Sequence, residues 1–236
     1  MTQMKPLKNI VIAIDGHSSC GKSTVAKEVA KALGIAYIDT GAMYRAVTLA
    51  GIRAGLVTPD GVNEAGVVAL LPRVRISFSF DQERGRNTTF LNGENVEDEI
   101  RGMAVSQSVS PVSAIPAVRE KLTEWQREMG RKGSVIMDGR DIGTVVFPNA
   151  DLKIFMTARP EVRARRRYDE MVAKGQKPVF ADVLANVVDR DRQDSTRSVS
   201  PLRKADDAVV LDNSDMTRQQ QYDFILNHLT SLHLIG

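Results

Sequence analysis

The chain has 236 residues, of which 42% are hydrophobic and 26% charged. These values exclude whole-chain disorder, collagen and coiled coil, and the length fits one large domain, or one domain with an insertion. The formal charge of +3 is too small to indicate nucleic-acid binding. Cys20 is the only cysteine, which excludes a disulfide framework and favours a reducing, cytoplasmic compartment. No stretch approaches about 18 apolar residues and residues 1–15 lack a signal-peptide pattern, so no membrane partner is expected.

The first 55 residues alternate between strand and helix patterns. Residues 9–14 form an apolar, β-branched run that predicts a strand buried on both faces. Lys22–Leu33 carries apolar residues four positions apart and ends at Gly34, which predicts an amphipathic helix. A short strand over residues 35–38 and a helix over 42–54 follow. This order predicts right-handed βαβ units and a parallel sheet.

The pattern changes between residues 56 and 105, where helical periodicity weakens. Apolar and polar residues alternate over residues 74–80, which predicts a half-solvated strand. A polar connection over residues 81–87 and a return strand over 88–91 complete a hairpin. We therefore expect a small antiparallel insertion here.

The α/β pattern then resumes to the end of the chain. The predicted strands cover residues 134–138, 152–156 and 208–211, and the predicted helices cover 117–130, 160–174, 180–192 and 217–232. With the two amino-terminal strands, this makes a five-stranded parallel sheet with helices between the strands. The expected fold class is α/β.

A phosphate-binding motif lies between the first strand and the first helix. The segment GHSSCGKS fits the pattern G-x-x-x-x-G-K-[ST], whose glycines let backbone amides surround phosphate oxygens at a helix N-terminus. Lys22 would place its charge on the β- and γ-phosphates, and Ser23 would offer its hydroxyl to Mg²⁺. The predicted ATP-binding residues of this segment are Gly16, His17, Ser18, Ser19, Cys20, Gly21, Lys22, Ser23 and Thr24.

Two residues of this loop have no clear role in that scheme. Cys20 is interpreted as inert scaffold, with a reactive thiol as the alternative because a helix N-terminus lowers thiol pKa values. His17 is interpreted as an ordinary loop residue. The loop alone does not distinguish a small-molecule kinase from a GTPase, an ATPase motor or a recombinase.

Two further motifs, DTGAMYR at residues 39–45 and DGRD at 138–141, follow predicted strands at the edge where open α/β sheets bind ligands. Their candidate side chains are Thr40, Gly41 and Arg45 in the first, and Asp138, Arg140 and Asp141 in the second. A threonine can cap the helix or touch a substrate, an arginine can pair with phosphate, and a carboxylate can hold the shell of Mg²⁺. The alternatives are a capped helix with a surface arginine, and a polar turn.

Basic residues crowd the last third of the chain. They are Arg163, Arg165, Arg166, Arg167, Arg190, Arg192 and Arg197. Crowded like charges destabilise a helix unless an anion or solvent screens them. A solvated basic face and an RNA-binding patch are alternatives to the favoured interpretation, a mobile lid that places arginines on transferring phosphates. Arg163 and Arg167 are the predicted ATP contacts.

Together these motifs resemble the bacterial cytidylate kinase family, one of the P-loop nucleoside monophosphate kinases. The resemblance rests on AIDG at residues 13–16, the motif at 39–45, DGRDIGTVVFP at 138–148 and RSVSPL at 197–202, and it covers nearly the whole chain. It implies transfer of the γ-phosphoryl group of ATP to CMP or dCMP, with Mg²⁺. It also implies a core over residues 1–55 and 106–236 with a short lid at about 163–200, and an NMP-binding insertion over 56–105.

The resemblance also implies roles for individual residues. Lys22, Arg140, Arg190 and Arg197 would be catalytic, and the CMP-binding residues would be Thr40, Gly41, Arg45, Ser110, Arg119, Arg140, Asp141, Arg190, Asp194 and Arg197. Of these, Ser110, Arg119 and Asp141 would contact cytosine, and Asp194 would contact the sugar hydroxyls. A carboxylate pairs with the amino group of cytosine and is left unpaired against uracil, which explains discrimination by Asp141.

Other expectations are less specific. His17 stands where the loops of the family often carry proline, and Ser110 lies in a run of serines at residues 106–113, which leaves its assignment open by one step either way. A kinase for UMP or shikimate and an RNA-binding regulatory ATPase are the alternatives. A monomer that binds no nucleic acid is expected.

Overall fold

The structure is a computed structural model that describes residues 5–81 and 86–236. Strands β1 to β10 are Val11–Gly16, Ala36–Asp39, Val57–Thr58, Gly61–Val62, Ile76–Asp81, Arg86–Leu91, Glu94–Asn95, Val135–Gly139, Leu152–Thr157 and Val209–Asp212. Helices α1 to α8 are Lys22–Leu33, Thr40–Arg53, Glu64–Leu70, Met103–Ala114, Pro116–Gly130, Pro160–Ala173, Phe180–Thr196 and Arg218–Ser231. Within the described ranges, no helix is both long and apolar enough to cross a bilayer.

The main sheet has five strands in the order β10-β9-β1-β8-β2. β1 pairs in parallel with β8 on one side and β9 on the other, and β10 pairs in parallel with β9. The predicted five-stranded parallel sheet is therefore confirmed. Because all these strands run the same way, their carboxyl ends meet at one edge, where ligands of open α/β sheets bind.

The chain divides into two compact units, residues 1–37 with 130–236, and Ile38–Met129. In the first unit the core lies between the sheet and the pair α1 and α8. Ile12 and Ile14 of β1, Val29 of α1 and Ile225 of α8 are buried there. The continuous apolar run of β1 is thus explained by burial, as predicted.

The second unit is built around α2. It contains the hairpin β3–β4, the three-stranded antiparallel sheet β5–β6–β7, and α3, α4 and α5. The predicted pairing of the strands near residues 74–80 and 88–91 is confirmed, with Ile76 opposite Leu91. Residues 82–85 of the predicted connection lie outside the described residues.

Several elements differ from prediction. The helix predicted to end at residue 192 continues to Thr196, which puts Asp194 on α7. The sequence did not indicate α3, α4 or the π-helical turn Ile142–Val146. α4 is rich in serine and carries Pro111, which hides its helical character in a propensity pattern.

Candidate functional site

The phosphate loop joins β1 to α1 at the carboxyl edge of the sheet. Gly16 has φ 151°, and a Cβ built there would stand 2.0 Å from the backbone oxygen of Met156. Gly21, the residue before α1, has φ 87°. Both positions therefore require glycine, because a side chain would clash at the first and strain the backbone at the second.

Lys22 turns back over this loop. Its Nζ donates hydrogen bonds to the backbone oxygens of Gly16 at 2.8 Å and His17 at 2.6 Å. Burial, followed by repulsion from Arg140, lowers the pKa of Lys22 to about 8. The ammonium group is thus held against the phosphate loop, where backbone amides and the N-terminus of α1 also favour the binding of an anion.

Ser23 and Asp138 form a hydroxyl–carboxylate pair beside the loop. Ser23 Oγ donates to Asp138 Oδ2 at 2.9 Å, and the Tyr37 hydroxyl donates to Oδ1 at 2.7 Å. Hard oxygen ligands from one hydroxyl and one carboxylate suit Mg²⁺, which takes its other ligands from water and phosphate. In the parts of the chain that the structure describes, no three His, Cys, Asp or Glu residues are grouped to hold a metal.

Asp15, immediately before the loop, contacts the turn that follows DGRD. Its two carboxylate oxygens accept hydrogen bonds from the amides of Ile142 and Gly143, both at 2.7 Å. Burial raises the pKa of Asp15 to about 6, although the two amides oppose the shift. Asp141, which precedes the turn, is also buried.

Three of the predicted acceptor residues meet at the carboxyl end of α7. Arg140 Nε donates to Asp194 Oδ2 at 2.7 Å, and Arg197 Nη1 lies 3.7 Å from Asp194 Oδ1. Burial opposes ionisation of Asp194, but Arg140, Arg197 and Arg190 together lower its pKa. The predicted phosphate-binding arginines Arg140 and Arg197 therefore share one carboxylate.

Arg163 lies beneath the phosphate loop. It is 2% exposed and donates to Asp191 at 2.9 and 2.5 Å, to Ala158 O at 2.9 Å and to Ser18 O at 3.4 Å. His17 Nδ1 lies 3.2 Å from the same Asp191 carboxylate. Burial opposes ionisation of Asp191, but hydrogen bonds with His17 and Arg163 outweigh it and lower the pKa to about 2. A direct contact between Arg163 and ATP stays a prediction.

The other arginines of α6 have different surroundings. Arg165 stacks on Phe180 and Tyr168, and Arg166 donates to the side chain and backbone oxygens of Asn213. Arg167 lines a cavity of about 630 Å³ next to the loop. Its lining also includes Thr24, Arg166, Thr217, Arg218 and Gln221. The cluster is therefore not a uniform solvated face.

The second unit holds the remaining predicted residues. Asp39, not Thr40, caps α2: Asp39 Oδ1 accepts the amide of Ala42 at 3.0 Å, and Thr40 is the first helical residue. Of the two roles open to Thr40, capping the helix is excluded, because Asp39 holds the extended backbone that a cap requires. A substrate contact by Thr40 stays a prediction. Gly41 follows in the first turn of α2 and is exposed.

Arg45, Ser110 and Arg119 lie on three helices of the same unit, α2, α4 and α5. Arg45 donates to Ile100 O at 3.2 Å and Ser106 Oγ at 3.0 Å. Arg119 donates to Ser113 O at 3.1 Å and lies over the Tyr44 ring. The backbone oxygen of Ser110 accepts from Ser113 Oγ at 2.8 Å. The serine run thus contacts both arginines through Ser106 and Ser113.

Sequence reasoning missed four residues that organise the site. They are Asp15, Tyr37, Asp191 and Asn213. Asn213 is fully buried, and its Nδ2 donates to Cys20 O at 2.7 Å and to Gln221 at 2.8 Å. Only Asp15 carried a signal, since a charged residue ending a buried strand is unusual. The others depend on contacts between distant parts of the chain.

A parallel sheet with a phosphate loop at its carboxyl edge, a cation on that loop and a hydroxyl–carboxylate pair beside it defines a P-loop phosphotransferase. The family model described as Cytidylate kinase matches residues 12–231. The chain therefore belongs to the cytidylate kinase family.

Named relatives agree with this assignment. The cytidylate kinase of Porphyromonas gingivalis is 57% identical over 219 residues, 92% of this chain and 94% of that one. The cytidylate kinase of Parabacteroides distasonis is 56% identical over 220 residues, 93% of this chain and 96% of that one. A solved structure of an uncharacterised protein from Eubacterium ventriosum shares the fold, with a TM-score of 0.53 and 11% identity over 94% of this chain and 99% of that chain.

Proposed function

We propose that the protein transfers the γ-phosphoryl group of ATP to CMP or dCMP, giving ADP and CDP or dCDP. The observation that best supports this is the Ser23–Asp138 pair at 2.9 Å beside the phosphate loop, in a chain of the cytidylate kinase family. A hydroxyl at this position of the loop and a carboxylate on the neighbouring strand are what Mg²⁺–ATP requires. The site would then bind two nucleotides: ATP, which donates the phosphoryl group, and CMP or dCMP, which accepts it.

The donor would lie across the phosphate loop and in the adjacent cavity. Backbone amides from Gly16 to Thr24 would surround the phosphates, and Lys22 would exchange its carbonyl partners for phosphate oxygens. The cavity of about 630 Å³ is large enough for a nucleoside, and Arg167, which lines it, would contact the donor there. Arg163 would support the loop from below through Ser18.

Mg²⁺ would be held by Ser23 and, through its hydration shell, by Asp138. When bound, the ion neutralises phosphate charge that develops during transfer. Tyr37 holds Asp138 by its other oxygen, which orients the carboxylate toward Ser23. The residues present therefore fit this ion.

The acceptor residues are proposed from the family resemblance. Arg140, Arg190 and Arg197 would neutralise the phosphates that react, and Arg45 and Thr40 would bind the acceptor phosphate. Asp194 already pairs with Arg140 and Arg197, so it would orient these guanidinium groups as well as contact the sugar. Arg119, Ser110 and Asp141 would contact cytosine.

Transfer itself needs little proton chemistry from the protein. The acceptor phosphate is largely ionised at neutral pH, so a strong base is not required. Fixed cations and correct positioning supply most of the stabilisation of the transition state. This agrees with a site rich in arginine and poor in histidine.

The proposal is tested by measuring initial rates with CMP, dCMP, UMP, AMP and shikimate side by side, with ATP and Mg²⁺. We expect CMP or dCMP to exceed the other acceptors by at least about tenfold in kcat/KM. A higher value for UMP, AMP or shikimate would contradict the assignment. Filter binding of short RNA tests the regulatory ATPase alternative, and we expect only weak, salt-sensitive retention.

Other parts of the scheme stay predictions from the sequence. They are the insertion over residues 56–105, the lid at about 163–200, a monomeric state, the absence of nucleic-acid binding and a cytoplasmic location. Sedimentation of the purified protein with and without both nucleotides tests the monomer.

A further inference from the structure

Asp15 has no role in the scheme above, yet it is 5% exposed and carries a carboxylate at the end of the central strand. Its Oδ1 accepts the amide of Ile142 and its Oδ2 the amide of Gly143, both at 2.7 Å. One carboxylate therefore holds two successive peptide groups. Such paired, charge-assisted hydrogen bonds fix position and direction together.

The backbone of Asp15 provides a second anchor. In the parallel register of β1 and β8, Asp15 lies opposite Gly139. Arg140 and Asp141 are the two residues between Gly139 and Ile142. Asp15 thus holds the chain immediately before this pair through the strand, and immediately after it through its side chain.

The turn that Asp15 holds is a single π-helical turn, Ile142–Val146. Val146 N donates to Asp141 O at 3.1 Å and Phe147 N to Ile142 O at 2.7 Å, which is the wide spacing of a π-helical turn. Burying the charged Asp15 opposes its ionisation, which is visible in a pKa raised to about 6. An ionised carboxylate is therefore kept there at a free-energy cost, which the two amides offset first and the charge of Lys22 offsets further.

We propose that Asp15 is a positioning residue for acceptor choice: its carboxylate fixes the turn at Ile142 and Gly143, and thereby aims Asp141 at the base of the acceptor. This inference rests on the proposed function, in which Asp141 contacts cytosine. Because Asp15 directly precedes Gly16, the same residue joins the phosphate loop to the segment that reads the acceptor.

The test is the ratio of kcat/KM for CMP to that for UMP in the Asp15→Asn variant. An asparagine has the same shape but turns a donor toward one of the two amides, so the turn loses an anchor. We expect the ratio to fall about tenfold. Asp151→Asn is the matched control, because Asp151 Oδ2 accepts the amide of Val11 at 2.9 Å at the opposite end of the same strand. Its ratio should stay within about twofold of the native value.

A double-mutant cycle shows whether Asp15 acts through Asp141. If it does, Asp15→Asn combined with Asp141→Asn lowers the ratio no further than Asp141→Asn alone. An equal loss of rate with CMP and UMP, or a further loss of selectivity in the double variant, would overturn the inference. If the native enzyme shows no preference for CMP, the proposed function itself fails. That failure is distinguished from failure of the role of Asp15, because it is seen in the native enzyme without any variant.

Gly143→Ala provides a second route if Asp15→Asn does not fold. A Cβ there would lie 3.3 Å from Asp15 Oδ2 and 3.2 Å from Lys153 Cδ, so the contact between the turn and the Asp15 carboxylate must readjust by a few tenths of an ångström while the carboxylate remains. We expect a smaller fall in the same ratio, by about threefold. Unchanged selectivity in this variant, with full activity, would contradict the positioning role.

Discussion

Arg163 and Asp191 form a two-point ion pair beneath the phosphate loop, with nitrogen–oxygen distances of 2.9 and 2.5 Å. Arg163 also reaches Ser18 O, and Asp191 also contacts His17, so the pair joins α6 and α7 to two residues of the loop. α7 carries Arg190 and Asp194 near its end, and Arg197 directly follows its last residue. The pair therefore links the donor loop to the helix that carries the predicted acceptor arginines.

Asp191→Asn should destabilise the protein by about 2–4 kcal/mol, because a buried guanidinium is left without its counter-charge. Denaturant unfolding of the purified variant measures the change. Asp189→Asn is the control, since Asp189 pairs with Arg192 on the exposed side of the same helix and should show no measurable change. Equal unfolding midpoints for the native protein and Asp191→Asn would contradict the structural role.

Lys22→Ala should lower kcat by about 100-fold or more, because it removes the cation from the transferring phosphoryl group. Steady-state kinetics with ATP and CMP measures the loss. Lys31→Ala removes an exposed lysine from the last turn of the same helix and should leave kcat unchanged. Near-native turnover in Lys22→Ala would contradict the role of the phosphate loop.

The pH dependence of kcat/KM for ATP should show a falling limb near pH 8. Below pH 8 Lys22 carries its charge, and above it the cation is lost, since burial lowers its pKa to about 8. In Lys22→Arg the limb should disappear, because arginine stays charged. A limb that is unchanged in Lys22→Arg would assign it to another group.

The lowered pKa of Lys22 also makes the stability of the folded protein depend on pH. Between pH 8 and 10.5 the unfolded chain retains a proton on Lys22 that the folded chain has lost. The contribution of Lys22 to the unfolding free energy therefore rises across this window, and it is most unfavourable below pH 8. Lys22→Met should accordingly be more stable than the native protein at pH 7, by an amount on the order of a few kcal/mol.

Asp141→Ala should weaken the binding of CMP and lower the preference for cytosine over uracil, because the carboxylate proposed to pair with the cytosine amino group is gone. The ratio of kcat/KM for CMP to that for UMP should fall by about tenfold or more. Asp206→Ala, at an exposed carboxylate of the same unit, is the control. Retained CMP preference in Asp141→Ala would remove this residue from the acceptor site.

Ser23→Ala should raise the Mg²⁺ concentration needed for half-maximal activity, while chelation of Mg²⁺ by EDTA should abolish turnover of the native enzyme. Magnesium titration at fixed ATP measures both effects. Ser231→Ala, at the exposed end of α8, should titrate as the native protein does. An unaltered magnesium dependence in Ser23→Ala would place the ion elsewhere.

Most of the central sheet was predictable because its strands are buried on both faces and its helices carry an apolar stripe. Glycine also predicted the end of α1 correctly, since Gly34 follows this helix with φ 66°. Prediction failed where no periodic signal existed. α4 combines several serines with Pro111, and its identity as a helix depends on packing against α2.

The candidate site was predictable only where chemistry follows a motif. Lys22, Ser23 and Asp138 come from such motifs, and the structure brings Ser23 and Asp138 together. Contacts such as Tyr37 to Asp138, 101 residues apart, leave no trace in composition or spacing. The sequence could not decide which residue caps α2, because Asp39 and Thr40 are both good capping residues and only the backbone angles separate them.

The burial of Cys20 has a practical consequence. This is the one sulfhydryl in the sequence, and no part of it is exposed. Maleimide dyes added to the folded native chain should find no target, so a cysteine introduced at a surface site such as Val188 on α7 can be labelled alone. The fluorescence of such a reporter would follow that helix in real time as each nucleotide arrives.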